Sequence, residues 1–376
     1  MTAALLTVDD GRRVIDSAPG MATSGTVLHV IETLGRGGAE TALVSGLPAL
    51  RTMGWVPEVF VLRPPVDLAA DLRERGVAVE VGLRPLIRRL RATRGQRRVL
   101  HSHLFFANVW ARLFGKAFDV PVVTTLHNPD YGSEGAGRFG VRLAIDRGLL
   151  RLKPPTYLSV SEIVRSDYRQ SLGIESQLCP NPVDPFWLEP PPSKAEARGR
   201  LGLGGDPLVF ACGRLHVQKG FDILARVAAR FPQVRFAIAG RGPDGDKLRG
   251  LGPVELLGVL KKETIRDWVR ASDVVAVPSR WESFGIFALE AMAAGAAIVA
   301  TDIPGLKDTL SGAASLVPPE DESALFEGIQ HLLLDVAKRD ALGASAAQQA
   351  RRFTVEAWAA RHAEVYERLF ADILLR

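Results

Sequence analysis

The chain has 376 residues, 47% of them hydrophobic and 24% charged, with a net charge of +5. It is too long for one hydrophobic core and too apolar to be disordered, so two globular domains are expected. No apolar run approaches the ~20 residues that span a bilayer, and Cys179 and Cys212 are too few and too far apart for a disulfide framework. Residues 1–24 lack the basic start and apolar stretch of a signal peptide and read as a loose extension. A cytoplasmic protein is expected.

Residues 26–33 (TVLHVIET) have the pattern of a buried strand, and Leu34-Gly35-Arg36-Gly37-Gly38 follows directly, before a helical stretch at 41–50. A glycine loop between strand and helix lets backbone N–H groups approach a phosphate. Taken alone it is equally a tight turn. Strand 58–62, helix 67–75 and strand 77–81 continue a βαβ alternation. Seven arginines then fall between Arg84 and Arg98, with Leu83, Leu86, Ile87 and Leu90 as an apolar stripe at helical spacing. Up to residue 187 there are 23 Lys/Arg against 18 Asp/Glu, and 24 of each thereafter, so the excess charge lies in the first half. The arginine stretch reads either as a solvated helix face or as a surface drawn to anionic lipid or an anionic acceptor. No aromatic residues interleave it, so no nucleic-acid partner is expected.

Strands ending at His103 and at Thr125 place histidines at the carboxyl ends of a parallel sheet, where ligands bind in such folds. His101 reads as structural. His127, followed by Asn128, Asp130 and a glycine-rich stretch at 131–140 able to close over an acceptor, is the better site candidate. After a strand at 156–160 and a helix at 162–172, prolines crowd residues 180–192 and mark a linker.

The second half restarts the alternation: strand 208–211, loop 212–220, helix 221–230, strand 234–239, strand 254–257 and helix 263–271. Arg214 and Lys219 place two cations at one strand end, as a diphosphate requires. Residues 278–304 (PSRWESFGIFALEAMAAGAAIVATDIP) then read as loop, helix and buried strand, with Glu282 and Glu290 eight positions apart. A helix starting near Phe284-Gly285 presents free backbone N–H groups and the positive end of its dipole to an anion. Glu282 can accept from hydroxyl groups, and Glu290 lies deeper, among small apolar residues where a carboxyl group needs a partner. Amphipathic helices follow residue 310, the last from Thr354 to the end.

In order, residues 35–40, the His101-Ser102-His103 strand end, Thr125-Leu126-His127, Asn181-Pro182-Val183-Asp184, Gly213-Arg214-Leu215 with Lys219-Gly220, Gly240-Arg241-Gly242 and Glu282 to Glu290 resemble the retaining glycosyltransferases of family 4. The resemblance runs from Thr26 to the carboxyl end. It implies an α/β chain of two Rossmann-like domains facing each other across a cleft, the GT-B fold. The boundaries expected are 25–187 for an acceptor-binding domain, 188–355 for a nucleotide-sugar-binding domain, and 356–376 for a helix returning to the first. It also implies transfer from a nucleotide-diphosphate sugar to a hydroxyl of a saccharide or lipid-linked acceptor, in polysaccharide, glycolipid or cell-envelope glycan synthesis. No cofactor and no metal are implied, because Arg214 and Lys219 take the place of the cation that other glycosyltransferases use.

By the same resemblance, His127, Arg214, Lys219 and Glu282 form the catalytic set. Gly37, Gly38, Arg241, Val259, Phe284, Gly285, Ile286 and Glu290 bind the donor. Departures from the family pattern are Asn181-Pro182 for Asn-Gly, Ala297 for Pro, Pro304-Gly305 for Gly-Gly, and Asp308 for Glu. Two other readings stay open at this level: a lapsed sugar-nucleotide-binding module, and a GT-B epimerase or phosphorylase, for which no acid/base pair or cofactor lysine is identified.

Overall fold

A computed structural model describes residues 25–130, 140–152 and 155–374. The extension 1–24 and most of the glycine-rich stretch, 131–139, lie outside these residues. Among the described residues thirteen strands form two parallel sheets. The first contains β1 (Gly25–Ile31), β2 (Trp55–Val61), β3 (Ala78–Val81), β4 (Arg98–His103), β5 (Val122–Leu126), β6 (Thr156–Ser159) and β7 (Gln177–Leu178), in the order β3-β2-β1-β4-β5-β6-β7. The second contains β8 (Leu208–Cys212), β9 (Arg235–Ala239), β10 (Val254–Gly258), β11 (Val274–Val277), β12 (Ile298–Thr301) and β13 (Ser315–Val317), in the order β10-β9-β8-β11-β12-β13. In each sheet the chain winds outward through three strands and then returns to the other side of the first, which opens a crevice at the carboxyl ends of β1 and β4 and of β8 and β11.

Each sheet is covered on both faces, so its central strands are apolar throughout: Val274, Val275, Ala276 and Val277 are all buried. In β1 the odd residues Val27 and Ile31 join one cluster, while Leu28 and Val30 join another on the opposite face. The helix Val355–Leu374 covers the odd face of the first sheet, burying Trp358, Ala359, Ala363 and Tyr366. Gly46 admits it, because a Cβ there would lie 2.7 Å from the Trp358 ring.

Several expectations are corrected. The arginine run is not one helix: the helix Leu83–Ala92 ends before Arg98, which lies buried in β4 and donates to the backbone oxygens of Leu90 and Phe118. Arg89 is paired with Glu58, Arg88 with Glu80 and Arg97 with Glu367, leaving Arg84, Arg91 and Arg94 as exposed charges. The proline-rich passage includes a short helix, Pro185–Leu188. Asp184 caps it and Pro185 takes the first position, where a missing N–H costs nothing. Trp187 on that helix is buried in an apolar cluster shared by both halves, with Val160 and Val164 from one and Phe284 and Leu289 from the other.

Candidate active site

The loop after β11 is held by its own side chains. Ser279 Oγ donates to Glu282 Oε1 at 2.9 Å, and Thr301 Oγ1 donates to the Ser279 carbonyl. Gly285, at φ +81°, turns the chain into the helix Ile286–Ala293. A side chain there would be strained by the left-handed backbone and would meet Leu306 at 2.5 Å. Phe284 is buried, and its carbonyl accepts from Thr309 Oγ1 at 2.8 Å.

The loop after β8 interlocks with this one. The Arg280 N–H donates to the Gln218 carbonyl at 2.8 Å, and Gln218 Nε2 donates to the Trp281 carbonyl at 3.1 Å. Lys219 thereby reaches Glu282 and forms an ion pair with it. Their side chains are 21% and 9% exposed, so each charge depends on the other. Arg214 stays exposed and donates to Gln218 Oε1 at 3.4 Å. It and exposed Arg241 and Val259 rim the same strand ends without joining the Lys219–Glu282 pair.

Glu290 is half-buried one helical turn beyond Ile286 and accepts from the Trp187 indole. Burial, reinforced by the charge of Asp184, pushes its carboxyl up to about 8, so it holds a proton at neutral pH in the free protein. Cys212, at the end of β8, lies close to both Glu290 and Lys219. Burial and the Glu290 charge push its thiol up to about 12. Strand end, ammonium and both glutamates therefore belong to one locality.

The first sheet supplies the facing wall. Gly37 caps the helix Gly38–Gly46, and a Cβ on Gly38 would lie 3.3 Å from Ile286 Cγ1. Ser283 Oγ donates to Asn128 Oδ1 at 3.1 Å, and Ser161 Oγ donates to the Ser283 carbonyl. Asn128 adjoins His127 and Ser283 adjoins Glu282, so the two walls meet at these loops. His127 also lines a cavity of about 140 Å³ with Glu32, Asn108, Asp130 and Arg142. A larger cavity, about 510 Å³, lies around Gly295 and Arg339, lined by none of these residues.

Sequence reading missed the partners of His127. His29, His101, His103 and His362 are all buried behind it. His103 Nδ1 lies 3.0 Å from His127 Nε2, and His29 Nδ1 lies 3.0 Å from His103 Nε2. His101, read as structural, is held by Thr125 Oγ1 at 2.8 Å and by the Tyr366 hydroxyl at 2.7 Å. The legible signal was parity: residues 29, 101 and 103 fall on one face of adjacent strands.

The family model for Glycosyltransferase Family 4 matches residues 36–186, and that for Glycosyl transferases group 1 matches residues 206–335. A D-inositol 3-phosphate glycosyltransferase of Xylanimonas cellulosilytica is 32% identical over 302 residues, 71% of this chain and 71% of its own. A phosphatidyl-myo-inositol mannosyltransferase of Mycolicibacterium smegmatis is 29% identical over 366 residues, 88% of this chain and 90% of its own. Among solved structures, Anabaena HepE in complex with UDP-glucose superposes with a TM-score of 0.78 at 22% identity, over 91% of this chain and 99% of that one. Sucrose-phosphate synthase from Thermosynechococcus elongatus gives 0.75 at 24% identity, over 92% and 100%. Two parallel α/β domains, the two matched halves and these relatives establish that the chain is a glycosyltransferase of family 4, with the GT-B fold.

Proposed function

We propose that the protein transfers a hexose from a nucleotide-diphosphate sugar to a hydroxyl of a saccharide or polyol acceptor, with retained anomeric configuration and without a metal ion. The observation that carries this reading is the Lys219–Glu282 pair at the carboxyl end of the second sheet, beside the Ser283–Asn128 contact that brings His127 alongside. Lys219 and Arg214 hold the diphosphate, aided by the backbone N–H groups at the starts of the helices after Gly285 and Gly37. Glu282 accepts from the donor sugar's hydroxyls and Glu290 from the ribose. Arg241, with residues 259–261, flanks the base. His127 lies by the reacting sugar.

As the diphosphate leaves, the cations and the helix start stabilise its charge, which is where such preorganised groups act most strongly. The acceptor hydroxyl attacks the face the diphosphate vacates, and the leaving phosphate oxygen takes its proton. The acceptor enters from the first domain, beside the cavity of Glu32, Asn108, Asp130 and Arg142. Relatives named for inositol phosphate and phosphatidyl-inositol substrates support a phosphorylated polyol, free or lipid-linked, in glycolipid or cell-envelope glycan synthesis. Exposed Arg84, Arg91 and Arg94 support peripheral contact with an anionic membrane. Among the described residues no helix is long and apolar enough to cross one.

The test is a thermal-shift panel of UDP-, GDP-, ADP- and dTDP-sugars in EDTA. A ligand of the folded state raises the apparent Tm. One nucleotide class should raise it, with or without chelator. A shift that appears only with added Mg²⁺ or Mn²⁺ contradicts metal independence, and no shift at millimolar concentrations contradicts the donor site.

A further inference from the structure

Three imidazoles join β1, β4 and the loop after β5 in a single line. The links His29 Nδ1 to His103 Nε2 and His103 Nδ1 to His127 Nε2 are both 3.0 Å. An imidazole nitrogen lies about 1.2 Å from its ring centre, so rings bonded end to end at that distance stand about 5.4 Å apart. Both pairs have centroids 5.3 Å apart. These are therefore edge-to-edge N–H···N hydrogen bonds and not face-to-face stacks. His29, His101 and His103 place nitrogens within 4.8 Å of one another, close enough for a metal ion. Hydrogen bonds already engage both nitrogens of His101 and both of His103, so a metal would have to break that network.

The chain leaves one nitrogen over at each end, His29 Nε2 and His127 Nδ1, both buried without a partner among the described residues. Each neutral ring carries one N–H, and each link needs one donor and one acceptor. Two patterns satisfy both links. In the first, His29 Nδ1–H donates to His103, His103 Nδ1–H donates to His127, and His127 carries its proton on Nδ1. In the second every proton moves to the opposite nitrogen. Each pattern leaves one N–H without a protein acceptor: His127 Nδ1–H in the first, on a ring that lines the cavity of Glu32 and Asp130, and His29 Nε2–H in the second, sealed in the core. A donor beside a cavity can meet a water or a ligand oxygen, whereas one sealed in the core cannot, and this favours the first pattern. Desolvation holds His29 and His103 well below the ordinary histidine range and His127 down to about 4, so the chain stays neutral.

We propose that His29 and His103 are positioning residues that lock His127 in its Nδ1–H tautomer. His127 then meets the substrate as a neutral hydrogen-bond donor to a ligand oxygen, and not as the base that takes the acceptor's proton. Which imidazole nitrogen is protonated is set by the bond the other one makes, and here His103 makes that bond. The assignment rests on the reading of His127 as lying by the reacting sugar. The groups facing His127 are His103 from β4, His362 from the last helix, and Glu32, Asp130, Arg142 and Tyr168 around the cavity.

The test is long-range proton–nitrogen NMR of the full chain labelled with nitrogen-15 histidine, from about pH 6 to 8, with His127→Gln to assign the His127 signals. The expected spectrum shows His127 protonated on Nδ1, bare on Nε2, and constant across that range. In His103→Leu the His127 proton should move to Nε2. In His103→Gln, whose amide accepts from His29 and donates to His127, the wild-type pattern should persist. Transfer by His103→Gln should stay within about threefold of wild type, while His103→Leu falls about tenfold or more and gains a pH-dependent limb. An Nε2–H tautomer in the wild type, an unchanged tautomer in His103→Leu, or a stoichiometric metal ion overturns the assignment. The wild-type spectrum decides alone if His103→Leu does not fold. The spectrum needs no donor, so the Nδ1–H form in a protein that binds no nucleotide sugar contradicts only the proposed function. The Nε2–H form in an active enzyme contradicts only the tautomer lock.

Discussion

Lys219 and Glu282, 63 residues apart in sequence, form an ion pair at the carboxyl end of the second sheet. Sequence reading gives each a separate ligand, diphosphate for the lysine and sugar hydroxyls for the carboxylate. In the free protein they satisfy one another, and donor binding must redistribute that contact. Removing either partner leaves a largely buried charge uncompensated, which costs about 1–3 kcal/mol at a site of this exposure. Lys219→Ala and Glu282→Ala should each lower stability by that order and reduce transfer at least about a hundredfold. Chemical denaturation beside nucleotide-release assays checks both, and near-normal turnover in either variant contradicts the site assignment.

Acid should unfold the protein early. His29, His101, His103, His127 and His362 all have lowered pKa values, chiefly through desolvation, with His127 and His362 at about 4. The unfolded chain protonates them near the ordinary 6.5. Their contribution is therefore complete above that value and lost as pH falls towards about 4. Each histidine contributes a slope of about 1.4 kcal/mol per pH unit. Urea midpoints should drop steeply between pH 6.5 and 5, and His29→Leu should remove one proton from that slope. Flat midpoints across this range would contradict the buried neutral chain.

Glu290 has the opposite sign. Its folded pKa is raised from 4.5 to about 8, so the stabilisation from its protonated form is full below 4.5 and lost as pH rises through about 8. Wild-type stability should decline from pH 6.5 to 8, and Glu290→Gln should flatten that decline. Equal slopes in the two proteins would mean that Glu290 is already ionised at neutral pH.

Gly285→Ala should destabilise by about 1–3 kcal/mol, because the residue holds a left-handed backbone and the new methyl meets Leu306. Gly250→Ala, at negative φ and 3.6 Å from its nearest neighbour, is the control and should change the Tm little. Similar melting temperatures for the two variants would contradict a strained helix start.

The exposed arginines should govern membrane contact. Reversing Arg84, Arg91 and Arg94 to Glu should abolish co-sedimentation with vesicles containing anionic lipid, at about 1 kcal/mol for each basic residue lost. Donor-induced thermal shifts should not change. Equal binding of the triple variant and the wild type would remove the arginine surface from the account.

The architecture was legible because both sheets are buried on two faces. Runs such as VVAV in β11 and IVA in β12 read as core strands without an alignment, and the interval from Glu282 to Glu290 marked the loop and helix between them. β7 and β13, with two and three residues, are too short to show any period. The helix Val336–Ala350 was hidden by its alanines, which carry no amphipathic contrast. The histidine chain was legible only as parity, which puts His29, His101 and His103 on one face of adjacent strands. His29 and His103 sit 74 residues apart on neighbouring strands, and only β1–β4 pairing brings them within a hydrogen bond. A histidine inside an apolar strand carries no mark of the partner that waits across the sheet. The Glu290 contact with Trp187 was hidden likewise, because the tryptophan lies in what reads as a linker.

The most direct test of the whole account is nucleotide release in EDTA, using the sugar donor that stabilises the wild type and a phosphorylated polyol acceptor. The account predicts acceptor-dependent release by the wild type, with a product of unchanged anomeric configuration. It also predicts at least about a hundredfold loss in Lys219→Ala while the protein remains folded. Acceptor-dependent release that persists in Lys219→Ala, or that requires a divalent metal, would contradict it.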